Sequence, residues 1–98
     1  MSDLKLLKIE KSSNSSKKWT AVFQMNGRIK KTSFGANGME DYTQHHDQER
    51  RERYLKRHQK DLQTNDPTRA GYLSYYILWG PSTSISENTR LFKQKFHL

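Results

Sequence analysis

The chain has no cysteine. No disulfide can staple it, no thiolate can hold zinc and no Cys nucleophile is available, a composition that fits a reducing compartment without requiring one. Proline occurs twice and glycine five times, so chain breakers are scarce and each carries positional information. No apolar run approaches the roughly 18 residues of a membrane span, and "MSDLKLLKIEK" lacks the long apolar core and small-residue cleavage site of a secretory leader. The expectation is a non-secreted chain without a membrane span. G-x-S-x-G, P-loop and G-x-G-x-x-G patterns are all missing. At 98 residues the chain is one domain, 1–98, with room for one small core but not for a two-lobed catalytic cleft. The reading is therefore non-enzymatic, with no cofactor and no small-molecule substrate.

Acidic residues are also in short supply: 10 against 18 Lys and Arg, for a net charge of +8. Such a balance favours an anionic partner, be it nucleic acid, an acidic protein surface or lipid headgroups, without choosing among them. Most of the excess lies in residues 1–38, where Lys5, Lys8, Lys11, Lys17, Lys18, Arg28, Lys30 and Lys31 face only Asp3 and Glu10. Residues 39–65 carry six charges of each sign and cancel. A basic face is thus expected in the N-terminal third.

What is present predicts an α+β fold: a small N-terminal antiparallel β-hairpin or three-stranded meander followed by about three α-helices. "KWTAVFQM" and "RIKKTSF" flank Asn26-Gly27, the dipeptide that accepts both positive φ values of a type I′ turn. Counting outward pairs Met25 with Arg28, Phe23 with Lys30, Ala21 with Thr32 and Trp19 with Phe34 on one face, and Val22 with Lys31 and Gln24 with Ile29 on the other. "DLKLLKIE" is expected as a third strand, joined by the mobile loop "KSSNSSKK", to complete a β-meander over 1–34. Residues 35–46 read as an irregular loop. Asp47 should cap a charged helix over 47–62, supported by Glu49–Arg53 and Glu52–Lys56 pairs. Asp66 as N-cap, Pro67 at the first helical position and Gly80-Pro81 as the stop predict an apolar central helix over 66–80. A capping box, Ser84 to Glu87, opens a C-terminal helix over 84–97.

Candidate sites follow from these placements. His45, His46, Asp47 and Glu49 offer metal-ligand chemistry, but no distant His or Cys stands at a recognisable spacing, and they are read as surface or capping groups. Acid–base work by Asp41, Asp47 and Glu49 lacks any sign of burial or convergence. Lys17, Lys18, Arg28, Lys30 and Lys31 are the candidate contacts for an anionic partner. Trp19, Phe23 and Phe34 are either the sheet's half of the core or a surface on which bases stack. Tyr72, Tyr75, Tyr76 and Trp79 put four rings on a helix that is apolar nearly all round, more than so small a domain is expected to cover. Those left exposed would be protein-interface anchors.

The elements Phe34-Gly35-Ala36, Asp41-Tyr42-Thr43, His46-Asp47, Glu49-Arg50-Arg51-Glu52-Arg53-Tyr54, Arg57-His58, Asn65-Asp66-Pro67, Leu73-Ser74 and Tyr76-Ile77-Leu78-Trp79-Gly80 carry a resemblance to a family of short, basic, uncharacterised proteins encoded by nucleocytoplasmic large DNA viruses, including the chlorella-virus and giant-virus lineages. It covers about two thirds of the chain and leaves out residues 1–16. The resemblance implies a virion component, found in the virion and in the host cytoplasm or viral factory during assembly. Together with the over-apolar helix it leads to the expectation of a minor capsid or cement protein that joins larger shell proteins. The alternative expectation is a sequence-nonspecific nucleic-acid-binding protein of the same virus class, contacting DNA or RNA through its basic sheet.

Overall fold

The computed structural model describes residues 4–98. Strands β1 (Lys5–Lys11), β2 (Lys17–Met25) and β3 (Arg28–Ala36) form one antiparallel sheet in the order β1-β2-β3, followed by helices α1 (Tyr42–His45), α2 (Gln48–His58), α3 (Ala70–Leu73) and α4 (Ile85–Phe96). The α+β class expected from the sequence is what the chain adopts. Asp3, the first residue of the expected third strand, lies outside the described residues.

The β2–β3 register runs from Met25–Arg28 through Phe23–Lys30 and Ala21–Thr32 to Trp19–Phe34, with Asn26 and Gly27 both at positive φ in the turn. This is the pairing that the Asn-Gly turn dictates. Ala21, Phe23 and Phe34 are fully buried and belong to the core cluster. Between core and stacking surface, the core is therefore where Phe23 and Phe34 lie. Strand β1 departs from simple alternation. Its register slips between Leu6, opposite Phe23, and Lys8, opposite Val22, so Leu7 is an extra residue and stands 47 % exposed. The bulge lets Leu6 and Ile9, three apart, both join the inward face. The linker expected to be a mobile loop is closed by its own polar groups: Ser16 N–H donates to Asn14 Oδ1 (2.9 Å) and Ser12 N–H to the Lys18 carbonyl (3.1 Å).

The helical half departs from the expectation at three places. Residues 35–46 are not all irregular: β3 continues to Ala36, and Asp41 and Gln44 form a reciprocal capping box around the single turn α1. Helix α2 is capped by Asp47, as expected, but ends at His58 and tightens into a 3-10 turn over Gln59–Thr64. The segment 66–80 changes most. The Asp66 carboxylate accepts from the Thr68 N–H (3.0 Å) and the Thr68 hydroxyl (2.6 Å), and Arg69 is extended, so Asp66-Pro67 builds a turn and the helix starts only at Ala70. A threonine two residues after an aspartate offers that local alternative to helix. The helix then widens over Ser74–Leu78 into a π turn, closed by the Trp79 N–H on the Ser74 carbonyl (3.0 Å).

Five-residue spacing brings Tyr72 into line with Ile77 and Leu73 with Leu78, and all four are buried together with Trp79. Two polar side chains fasten the end of this unit. Arg51 Nε donates to the Trp79 (3.0 Å) and Gly80 (2.9 Å) carbonyls. Asn88, fully buried, donates to the Ile77 (2.8 Å) and Ser82 (2.7 Å) carbonyls and accepts from the Ser82 N–H (2.9 Å). Gly80 has no room for a side chain here, since a Cβ would stand 2.3 Å from the Tyr76 carbonyl oxygen. In α4 the Ser84 hydroxyl accepts from the Glu87 N–H (3.2 Å), while the Glu87 carboxylate is taken by Arg90.

Candidate functional site

The rings of Tyr72, Tyr75, Tyr76 and Trp79 divide into two pairs. Tyr72 and Trp79 are buried, Tyr72 donating its hydroxyl to the Leu62 carbonyl (2.6 Å) and Trp79 stacking flat on Tyr54 (4.1 Å, 5°). Tyr75 and Tyr76 remain half-buried beside one another (5.0 Å, 64°). Tyr76 meets Phe96 edge to face (5.3 Å, 77°), and the Lys95 ammonium lies 5.9 Å from both of those rings. This part-exposed aromatic face joins the π turn to α4. Burial, then the neighbouring Tyr75 and Tyr72, raise the Tyr76 phenol above its ordinary pKa.

The five candidate cations of the N-terminal third do not act as one patch. The Lys18 ammonium is held by Asp41 (2.7 Å) and Gln44 (2.6 Å), and its side chain is 12 % exposed. Lys30 donates to the buried Thr68 hydroxyl (2.9 Å) and so ties β3 to the turn before α3. Lys17 is half-buried opposite Ala36. Arg28 and Lys31 are exposed, Lys31 opposite Val22 with Lys8 on the far side. Val22 is buried but outside the core cluster, which leaves the stems of its lysine neighbours as its cover.

A groove of about 460 Å³ opens where α2 meets the end of β3 and the π turn. Its floor is Tyr54, Leu78 and Trp79, with Arg50, Arg53 and Arg57 of α2 along one rim and Met39 and Glu40 along the other. Tyr54 is the centre of a three-ring stack, with Trp79 on one face and His58 on the other (4.1 Å, 23°). Burial pushes the Tyr54 phenol up to about 12, with Asp61 adding to the shift; the Ser74 hydroxyl and the Arg57 guanidinium pull the other way without offsetting it. The phenol is neutral at every physiological pH.

The acids and bases of residues 39–65, which cancel in sequence, are unevenly committed in the fold. Asp41 is matched by Lys18, Asp47 caps α2 and Asp61 accepts from His58 Nδ1 (3.0 Å). On the other side Arg51 alone is consumed, by the Trp79 and Gly80 carbonyls. Arg50 and Arg53 reach only the exposed Glu40 (3.8 Å) and Glu49 (3.9 Å), and among the described residues Arg57 has no carboxylate within salt-bridge distance. The result is a basic rim that the residue count hides.

His45, His46, Asp47 and Glu49 do not converge. His45 Nδ1 accepts from the Asp47 N–H (2.9 Å), His46 contacts the Thr43 carbonyl (3.2 Å), and Asp47 accepts from the Glu49 and Arg50 N–H groups. Among the described residues no group of three or more His, Asp or Glu is placed to hold a metal ion, and no helix is long and apolar enough to cross a membrane. The α2 rim is the feature that sequence reasoning missed. Arg50, Arg53 and Arg57 at i, i+3, i+7 spacing were its visible signal.

The model of a family of unknown function, DUF5754, matches residues 7–58, and the chain belongs to that family. The match runs from the β1 bulge to the last residue of α2, so it takes in the Lys18–Asp41 pair and the α2 arginines and stops before the π turn. No curated protein and no solved structure matches the chain.

Proposed function

We propose that this member of a family of unknown function is a non-enzymatic structural protein of the virion of a large DNA virus, a minor capsid or cement component that joins larger shell proteins. The observation that carries the reading is the part-exposed face of Tyr75, Tyr76 and Phe96, crowned by Lys95. The chain supplies its own cover for Tyr72 and Trp79 but not for these rings, and tyrosines with one wet side are preferred anchors at protein interfaces. The viral setting rests on the resemblance of residues 34–96 to proteins of such viruses. Its partners are other capsid or virion proteins, and its place is the virion, after assembly in the host cytoplasm or viral factory.

Mass spectrometry of purified particles tests the reading. The protein is expected in the particle, cross-linked through the Tyr75–Tyr76 face to a shell protein, and Tyr75→Ala with Tyr76→Ala should remove the cross-link while leaving the monomer folded. Particles without the protein would contradict it.

A further inference from the structure

We infer that the arginine rim of α2 is a binding site for the phosphodiester backbone of nucleic acid, and that this site, rather than the basic hairpin, is where the chain meets an anionic polymer. The inference is independent of the aromatic face.

Four observations carry it. First, Arg50, Arg53 and Arg57 share one face of α2 at i, i+3, i+7 and line the same groove; at 1.5 Å per residue they span about 10 Å along the axis. Second, these guanidinium groups are the least committed cations near the groove. Glu40 and Glu49, at 3.8 and 3.9 Å, are too far for strong hydrogen bonds, and all four side chains in these pairs are substantially exposed, so an incoming phosphate displaces little. Guanidinium presents a fork that fits phosphate oxygens. Third, the groove floor adds no opposing charge: Tyr54 stays a neutral phenol and Asp41 is matched by Lys18. Glu40 is the opposing carboxylate left on the rim. Fourth, Arg57 also lines a second open hollow, shared with Lys56 and Lys60 along the 3-10 turn. The cations therefore form a track that continues past one groove, which suits a polymer of repeated charge better than a single anion. An acidic peptide carries its carboxylates at irregular spacing, whereas a phosphodiester backbone presents one charge at every nucleotide. Phosphodiester needs only the charge, so the binding is indifferent to base sequence.

Fluorescence anisotropy of the full chain with labelled oligothymidylate, over about 50 to 200 mM salt, tests this. The unmodified protein should lose affinity steeply as salt rises. The triple change Arg50→Gln, Arg53→Gln, Arg57→Gln should weaken binding about tenfold or more at the lowest salt and flatten the log–log slope by about 2, at roughly 0.7 per lost phosphate contact on a single strand. Arg28→Gln with Lys31→Gln should leave the slope in place, and Glu40→Gln should tighten binding. Circular dichroism checks that the triple variant is folded, and Arg57→Gln alone, with a slope change of about 0.7, serves if it is not. A slope unchanged by the α2 variants, or lost with the hairpin variant, would overturn the assignment. So would poly-glutamate binding as tightly as the oligonucleotide, which would make the occupant an acidic protein.

Discussion

Lys18 of the hairpin and Arg57 of α2 both border the same groove, and they use their charge in opposite ways. The Lys18 ammonium lies 2.7 Å from the Asp41 carboxylate, with both side chains almost wholly out of solvent. Arg57 is exposed and, among the described residues, has no carboxylate in reach. The difference extends to their regions. The hairpin holds much of the net charge, yet Lys18 and Lys30 are spent fastening the sheet to α1 and to the turn before α3. The middle of the chain is neutral by count, yet its three aspartates go to a buried pair, a cap and a histidine, while its glutamates stay exposed and hold Arg50 and Arg53 only loosely. Net charge by segment describes what a chain carries. Which of it a partner can meet depends on what folding consumes.

Asp41 is where the hairpin's charge is held most firmly. Asp41→Ala takes the carboxylate from the largely buried Lys18 ammonium, leaving Gln44 as its partner, and removes the α1 cap, and should cost about 4 kcal/mol by urea denaturation. A loss under about 1 kcal/mol, the range of a surface pair, would mean that the hairpin's charge is no more committed than that of α2.

Alkaline titration sharpens the picture of the groove floor. Tyr54 is held in its neutral form, with a folded pKa of about 12 against an ordinary 10.0. Its contribution to stability is fully present below pH 10 and is lost as the pH rises towards 12. Absorbance at alkaline pH should show tyrosines ionising late, with Tyr54 among them beside the also-raised Tyr76, and Tyr54→Phe should remove the phase near pH 12. A phenol that titrates with the others would place the ring in water.

Smaller effects separate the remaining hairpin cations. Lys30→Met loses the bond to the Thr68 hydroxyl and should cost about 1 kcal/mol in thermal melts. Arg28→Gln and Lys31→Gln, exposed and outside any ion pair among the described residues, should each stay within about 0.5 kcal/mol. Equal losses at all three positions would erase the distinction between committed and free cations of the hairpin.

Some of this architecture is legible in the residues themselves. Asn26-Gly27 admits one turn type, that turn fixes one register, and the register sends Ala21, Phe23 and Phe34 inward together. Asp47 and Ser84 announce their helices because a cap is a local bond. Asp41-x-x-Gln44 carried an equally local signal for α1, masked by Gly35 and Gly38 just before it in the reading of 35–46 as a loop. The β1 bulge was not legible, because Leu6, Leu7 and Ile9 fit either phase of a strand until the partner is placed. Nor was the π turn: a segment apolar nearly all round has no phase from which to read four or five residues per turn. The α2 rim was hidden for a different reason. Its exposure depends on Lys18 reaching Asp41 and on Arg51 reaching Gly80, across 23 and 29 residues, and no count within a segment contains those pairings.

The most direct test of this partition is a paired denaturant titration of Lys18→Met and Arg57→Gln, each against the unmodified chain. The account predicts that Lys18→Met loses about 3 kcal/mol, because Asp41 is left buried without its cation, while Arg57→Gln stays within about 0.5 kcal/mol, as exposed positions do. Equal stability of the two variants, or a larger loss for Arg57→Gln, would contradict it.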